Sequence, residues 1–282
     1  MVVARLPWRF AIKIHKGFGW LLGWLLTSSR RVVLQNLKIC FPDLDDKARK
    51  KLAFEYFKSM GACIAEMAFA WFGSEERLKK LFSIEGFEHV EAALAKGKGV
   101  VLCSGHFITL EICAPFLKSL LPAYAFMFHK RRNPLIDEMQ TRGRKRAAHE
   151  SFASNNIRAM LRSLRNNAAV WYAADQAYFG KNSRLLPFFG EPAMTSLATS
   201  KLIRVSGAQL VPFAFFRRAD DSGYTLRFSA PPENFPSESV EADTLRLVSI
   251  LEDDIRECPE QYLWTHRRFK GRPAPLADVY AR

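Results

Sequence analysis

Residues 99–111 read GVVLCSGHFITLE. Gly99 to Cys103 is a short, unbroken apolar run, the pattern of a strand buried on both faces. It ends at Ser104, Gly105 and His106, and Phe107-Ile108-Thr109-Leu110-Glu111 opens a helical pattern at once. A buried strand that turns straight into a helix is the first half of a βαβ crossover. Similar runs recur at Ala123–Phe128, Ala168–Ala174 and Gln209–Phe216, and Tyr224–Phe228 alternates like a half-exposed strand. Helical periodicity fills the intervals at 107–120, 133–148, 157–165 and 193–205, and a last helix is predicted over 239–257. The alternation predicts an α/β fold: a mostly parallel central sheet with helices on both faces.

Upstream of this core the chain reads as helical. Residues 31–71 carry a helical period broken at Phe41-Pro42-Asp43, with a restart between Asp43 and Lys47, and 86–95 is a further helix candidate. Residues 17–27 read GFGWLLGWLLT, eleven uncharged positions. As a helix they cover ~16 Å, against the ~30 Å of a bilayer core. Arg5, Arg9, Lys13 and Lys16 recur at helical spacing just before, and Trp8, Ile14, Phe18, Leu21 and Leu25 occupy the remaining surface. Residues 6–27 therefore read as a basic amphipathic helix, either membrane-interfacial or packed on the protein's own core. Gly19 and Gly23 form a GxxxG within it. The predicted organisation is a membrane-associating helix over 1–30, then a single α/β domain over 31–282 whose first part, 31–85, is helical. No Pro/Ser-rich linker separates the two.

The 282 residues hold 42 Lys and Arg against 28 Asp and Glu, a formal net charge of +14, with 49% apolar types. Such a composition excludes a disordered tail and a multi-spanning membrane protein, and it points to an anionic partner. The excess is local. Residues 1–42 carry seven basic side chains and no acidic one; 129–148 carry five net positive charges and 266–272 four. A nucleic-acid-binding protein would need a recognition module such as a helix-turn-helix or an RRM-like sheet, and none is found, so no nucleic-acid partner is expected. Five widely spaced cysteines (Cys40, Cys63, Cys103, Cys113, Cys258) without a CxxC pair fit a reducing compartment. The N-terminal stretch lacks the cleavage pattern of a secretory signal.

In an open parallel sheet, sites form beyond the carboxyl ends of the strands, which is where His106 falls. Glu111 lies five residues on. From the turn, the His106 ring can fold back so that Glu111 holds one ring nitrogen and leaves the other as a base. The spacing fits equally a turn histidine and a surface glutamate. No HExxH or second nearby histidine suggests a metal, and no GxSxG elbow suggests a serine nucleophile. Asp175 ends a buried run and belongs near His106 at the sheet edge, or caps the next turn. Arg144 and Arg146 suit bidentate contact with phosphates, or a solvated helix face. Arg267 and Arg268, between Trp264 and Phe269, suit anionic headgroups or packing. Asn182, Ser183 and Arg184, ahead of the apolar end of GKNSRLLPFFG, read as an exposed loop.

These motifs together resemble a known family. His106-x-x-x-x-Glu111 at the end of a strand is similar to the signature of the glycerophospholipid acyltransferase superfamily. Within it, the chain resembles the late acyltransferases of lipid A biosynthesis. The likeness runs through Asn36-Leu37, Cys40-Phe41-Pro42, Gly105-His106-Phe107-x-Thr109-Leu110-Glu111, Asn133-Pro134-Leu135 and Gln140-Thr141-x-Gly143-Arg144. It continues through Val170-Trp171-Tyr172-Ala173-x-Asp175-Gln176 and Pro187-Phe188-Phe189-Gly190 to the most specific string, Pro259-Glu260-Gln261-Tyr262-Leu263-Trp264-x-His266-Arg267-Arg268-Phe269-Lys270, and to Tyr280.

The resemblance implies transfer of a fatty acyl group from acyl carrier protein to the hydroxyl of a 3-hydroxyacyl chain on a lipid A precursor. His106 would be the general base and Glu111 its orienting carboxylate, with Arg144, Asp175 and Arg268 binding substrate. No metal or other cofactor is implied; the carrier thioester is a co-substrate. Lysophospholipid or glycolipid mannoside acceptors belong to the same superfamily. The implied location is the cytoplasmic face of the bacterial inner membrane. Members of the family usually carry a longer apolar N-terminal segment; the short one here favours peripheral or shallow attachment.

Overall fold

The computed structural model describes residues 2–128 and 134–281. Lys130, Arg131 and Arg132 of the basic 129–148 stretch and Asn133 lie outside the described residues, as does the side chain of Lys145.

Three helices open the chain: α1 (Trp8–Leu25), α2 (Thr27–Cys40) and α3 (Asp46–Phe72). Asp45 caps α3 by accepting from the Ala48 N–H at 2.7 Å, an exchange that satisfies one orphan donor of the first turn. After α4 (Glu75–Lys79), β1 (Phe82–Glu85) and α5 (Glu88–Leu94), the alternating core begins. It runs β2 (Val100–Ser104), α6 (Leu110–Leu120), β3 (Tyr124–Phe128), α7 (Pro134–Ala147), β4 (Glu150–Ala153), α8 (Ile157–Arg165) and β5 (Ala169–Ala173). A hairpin, β6 (Ser183–Phe188) and β7 (Glu191–Ser196), precedes α9 (Ala198–Ser206), β8 (Gln209–Arg217), β9 (Tyr224–Phe228) and α10 (Val240–Glu257).

Seven strands form one sheet in the order β1-β9-β8-β2-β5-β3-β4. Each neighbouring pair is parallel except β8 with β9. The chain is therefore α/β with a mostly parallel sheet and helices on both faces, preceded by a helical region. One face carries α1, α3 and α6, whose Ile12, Phe57, Phe69, Ile112 and Leu117 bury with Leu102 and Trp171 of the sheet. On the other face, Ala159, Met160 and Leu164 of α8 and Leu202 and Ile203 of α9 bury against Val101 and Val170. The alternation of Val101 and Leu102 between the two clusters is the period-2 geometry of a strand covered on both sides.

Helix α1 is part of this core: Trp8, Ala11 and Ile12 are buried, and Trp8 packs edge-on to Phe69 at 5.0 Å. It crosses α3 where two glycines meet. A Cβ on Gly19 would lie 2.2 Å from the Phe57 carbonyl oxygen, and one on Gly61 would lie 2.0 Å from the His15 carbonyl oxygen. The outer side of the helix exposes Phe10, Ile14, Phe18, Trp20, Leu21, Trp24 and Leu25. The basic stripe is partly turned inward: Lys16 pairs with Asp221 at 2.6 Å and Arg9 with Asp220 at 3.1 Å. Among the described residues, no helix is long and apolar enough to cross a membrane.

Two expectations fail in the 182–206 region. The predicted loop ahead of Pro187 is strand β6, which pairs antiparallel with β7, and the predicted helix over 193–205 begins only at Ala198. In β6, Leu186 and Phe188 are buried while Leu185 and Pro187 are exposed, an alternation that the adjoining Leu-Leu and Phe-Phe pairs conceal. β1 and β4, each only four residues long, are also absent from the sequence reading.

Candidate active site

Strands β2 and β5 are neighbours, with Ser104 opposite Ala173. Continuing that register by two residues brings His106 level with Asp175, across 69 positions of sequence. The two interact twice. The His106 backbone N–H donates to Asp175 Oδ2 at 2.8 Å, and ring Nδ1 lies 2.5 Å from Asp175 Oδ1. The Tyr262 hydroxyl donates to the same Oδ2 at 3.0 Å.

These contacts fix protonation. The Asp175 side chain is buried. Burial pushes its pKa up, but the His106 charge, the bonds from His106 and the Tyr262 hydroxyl together hold it well below the usual carboxylate range. A carboxylate only accepts, so Nδ1 carries the hydrogen, and in the neutral ring Nε2 is the bare, basic nitrogen. Burial lowers the His106 pKa, yet the adjacent Asp175 charge and hydrogen bond outweigh it and raise it above the ordinary value. Nε2 bonds to no described group, and 28% of the His106 side chain remains exposed. Trp171 stands edge-on to the ring at 5.6 Å and restricts its rotation.

The turn that presents His106 is held from outside. Ile108 N–H donates to the Gln261 carbonyl at 2.9 Å, and Leu263 N–H donates to the His106 carbonyl at 3.1 Å. Residues 261–263 thus lie beside residues 106–108 like one more short strand. Close by, the Ala177 N–H donates to His266 Nε2 at 3.0 Å. Only a neutral ring accepts there, in keeping with a His266 pKa that burial depresses to about 4.

Glu111 does not hold His106. It lies in the first turn of α6 and takes a hydrogen bond from Arg144 of α7 at 2.9 Å, with both side chains mostly buried. The helix starts at Leu110, not in the turn, and that start directs Glu111 to its neighbouring helix rather than back toward the ring. Asp175, expected among the substrate-binding groups, is occupied by His106 and Tyr262. Arg268 is likewise internal: it is buried, donates to the Met194 carbonyl at 2.7 Å and Thr195 Oγ1 at 2.6 Å, and lies over the Phe188 ring. Arg146 is exposed and bonds to the Trp71 carbonyl. Tyr262 and His266 were visible only as members of the C-terminal string; extending the β2–β5 register would have paired His106 with Asp175 directly.

A small cavity of about 40 Å³ adjoins Asp175, bounded also by Ser104, Thr195, Leu247, Val248 and Leu251. Gly105 makes room for it: a Cβ there would lie 2.4 Å from Leu251 Cδ1. Among the described residues, no group of three or more His, Cys, Asp or Glu is placed to hold a metal ion.

A histidine at the carboxyl edge of a parallel sheet, backed by a buried aspartate near a largely apolar cavity, is an arrangement of an α/β fold that can take a proton from a hydroxyl. Comparison with known proteins narrows the class. A family model described as bacterial lipid A biosynthesis acyltransferase matches residues 1–271. The chain is 35% identical over 250 residues to the lipid A biosynthesis palmitoleoyltransferase of Escherichia coli (strain K12), covering 88% of this chain and 81% of that protein. It is 33% identical to that organism's lipid A biosynthesis lauroyltransferase over 280 residues, 99% of this chain and 91% of the other. It is 26% identical to the myristoyltransferase over 281 residues, 99% and 87%. The chain belongs to the bacterial lipid A biosynthesis acyltransferase family, and its activity is O-acyl transfer in lipid A biosynthesis.

Proposed function

We propose that the chain transfers a fatty acyl group from an acyl carrier protein thioester to a hydroxyl on an acyl chain of a lipid A precursor, with His106 as general base and Asp175 as its partner. The observation that carries this reading is the doubly bonded Asp175, which leaves His106 Nε2 as an unoccupied base while Asp175 itself lines a largely apolar cavity. Nε2 takes the hydroxyl proton as the oxygen attacks the thioester carbonyl. Asp175 stabilises the imidazolium that forms. When the tetrahedral intermediate collapses, the C–S bond breaks and the proton passes from Nε2 to the departing thiolate. General-base assistance of this kind contributes ~10²–10⁴-fold, and alignment of the two lipids supplies further acceleration. The apolar wall formed by Leu247, Val248 and Leu251 suits contact with the acyl chain. The exposed apolar side of α1 suits attachment to the membrane that holds the acceptor.

Incubating the chain with carrier thioesters of several lengths and a lipid A precursor, with products read by mass spectrometry, tests the proposal. One added acyl ester on a hydroxyacyl chain, lost in His106→Ala, is expected. Acylation of a lysophospholipid in preference to the lipid A precursor would overturn it.

A further inference from the structure

Helix α8 buries Ala159, Met160, Ser163 and Leu164 and exposes Arg158, Arg162 and Arg165. Spacings of four and three place the three arginines within about a 60° stripe roughly 10 Å long. None of their side chains has a hydrogen bond, ion pair or ring contact to any described group. Other arginines across the molecule are engaged: Arg184 with Glu241, Arg227 with Asp254 and Glu257, Arg256 with Glu252 and Asp253. Arg77 and Arg31 bond to backbone carbonyls, and Arg267 lies over Tyr280. Among the described arginines only Arg5 shares the unpartnered state of the α8 three; unpartnered lysines such as Lys47, Lys50 and Lys51 lie on α3.

Arg162 and Arg165 suit the dipole of the last turn, but like charges one turn apart on a helix repel, so the ridge of three is more than the helix end needs. Its position separates it from the membrane as well. α8 packs on the sheet face opposite α1, so the arginines point away from the exposed Trp20, Trp24 and Leu25. The anion they await arrives from the other side of the molecule. The helix begins three residues after β4 ends, at the carboxyl edge that also holds His106, and Ile157 at its start is 46% exposed. β4 stands three strands from β2, a lateral separation of ~14 Å, within reach of a pantetheine-type arm.

We propose that Arg158, Arg162 and Arg165 form the docking ridge for an acidic carrier protein, with Ile157 as its apolar contact. This rests on the thioester-donor reading above. Charge complementarity of this kind acts mainly on encounter and salt dependence.

The test compares wild type with the Arg158→Glu, Arg162→Glu, Arg165→Glu triple variant, using one acyl chain as the acyl carrier protein thioester and as the coenzyme A thioester. Direct binding of apo acyl carrier protein is measured in parallel by fluorescence anisotropy. The triple variant is expected to raise KM for the carrier thioester about tenfold or more while kcat, and turnover of the coenzyme A thioester, stay within about twofold. Anisotropy should show wild-type binding that weakens with salt and is lost in the variant. Unchanged carrier binding, or equal loss with both donors, overturns the proposal. So does retained carrier binding with lost sedimentation on anionic vesicles, which would assign the ridge to a membrane. If wild type used neither thioester, the donor reading would fall, and the anisotropy arm would still decide the docking site.

Discussion

The pairing of His106 with Asp175 separates the work of two carboxylates that lie near one base. Asp175 touches the ring; Glu111 touches Arg144. His106 acts as a base only when neutral, and its pKa is raised, so activity should rise with pH through values above ~6.5. In Asp175→Asn the charge is gone and burial, which lowers the His106 pKa, acts unopposed. The rising limb of kcat/KM should then move to lower pH while the maximum falls by ~10²-fold or more. In Glu111→Gln the limb should stay where it is. A pH–rate profile of both variants checks this, and a shifted limb in Glu111→Gln alone would return the orienting role to that residue. His266 offers a stability readout. Its folded pKa is depressed to about 4, so unfolding takes up a proton between ~6.5 and 4, and stability is lost as pH falls through that window. His266→Gln should flatten the fall in urea midpoint between pH 6.5 and 4. His106 was legible from a buried strand followed by glycine and histidine. Asp175 was placed near it as the end of another buried run, but the partner role went to Glu111, because spacing along the chain favours local neighbours whereas this pair is made by register between strands.

At the scale of elements, most of the alternating core could be read from the sequence because buried parallel strands are apolar without interruption. α8 and β9 fall where periodicity put them, and the strands read from apolar runs agree to within a residue or so at each end. Short edge strands and the β6–β7 hairpin escaped, since four or six residues with paired apolar neighbours carry little period. The N-terminal segment shows what amphipathic patterning leaves open. Its small residues meet α3 and its aromatics face outward, an arrangement that hydropathy alone does not distinguish from a wholly interfacial helix. Gly61→Ala places a methyl group against the His15 carbonyl and should cost ~1–3 kcal/mol through forced separation of α1 and α3. The expected result is a lowered thermal midpoint with earlier proteolysis of the first 25 residues. Replacing Trp20, Trp24 and Leu25 by serine leaves that crossing intact. Vesicle binding should fall steeply with little change in thermal midpoint; unaltered sedimentation with membranes would remove α1 from that role.

Over the whole molecule, the sheet divides two surfaces of different character. One is roofed by α1 and α3 and exposes apolar rings; the other is roofed by α8 and α9 and exposes cations. Summing charge by segment located the basic stretches 1–42, 129–148 and 266–272 but passed over the α8 arginines, because a total does not record which charges are already paired. The two halves are tied through the interior. Arg217 of β8 is buried against Glu66 and Ser59 of α3, Tyr224 donates to Glu66, and Asp221 reaches Lys16 of α1. Removing one member of such a buried pair leaves an unpaired charge that costs ~3–5 kcal/mol. Glu66→Ala should therefore unfold the chain at markedly lower urea than wild type. At the centre, filling the cavity with Leu251→Trp should shift the preferred donor toward shorter acyl chains, as competition between carrier thioesters would reveal.

The histidine turn leans on residues 261–263, and Tyr262 supplies one of the bonds that settle Asp175. Those residues are made only after His106, β2 and β5. A nascent chain can therefore assemble most of its sheet while the histidine still lacks the neighbours that orient it. The bonds that settle Asp175 and His106 form only once Gln261 to Leu263 have been added, and a chain broken ahead of Gln261 should keep the sheet but not that pairing.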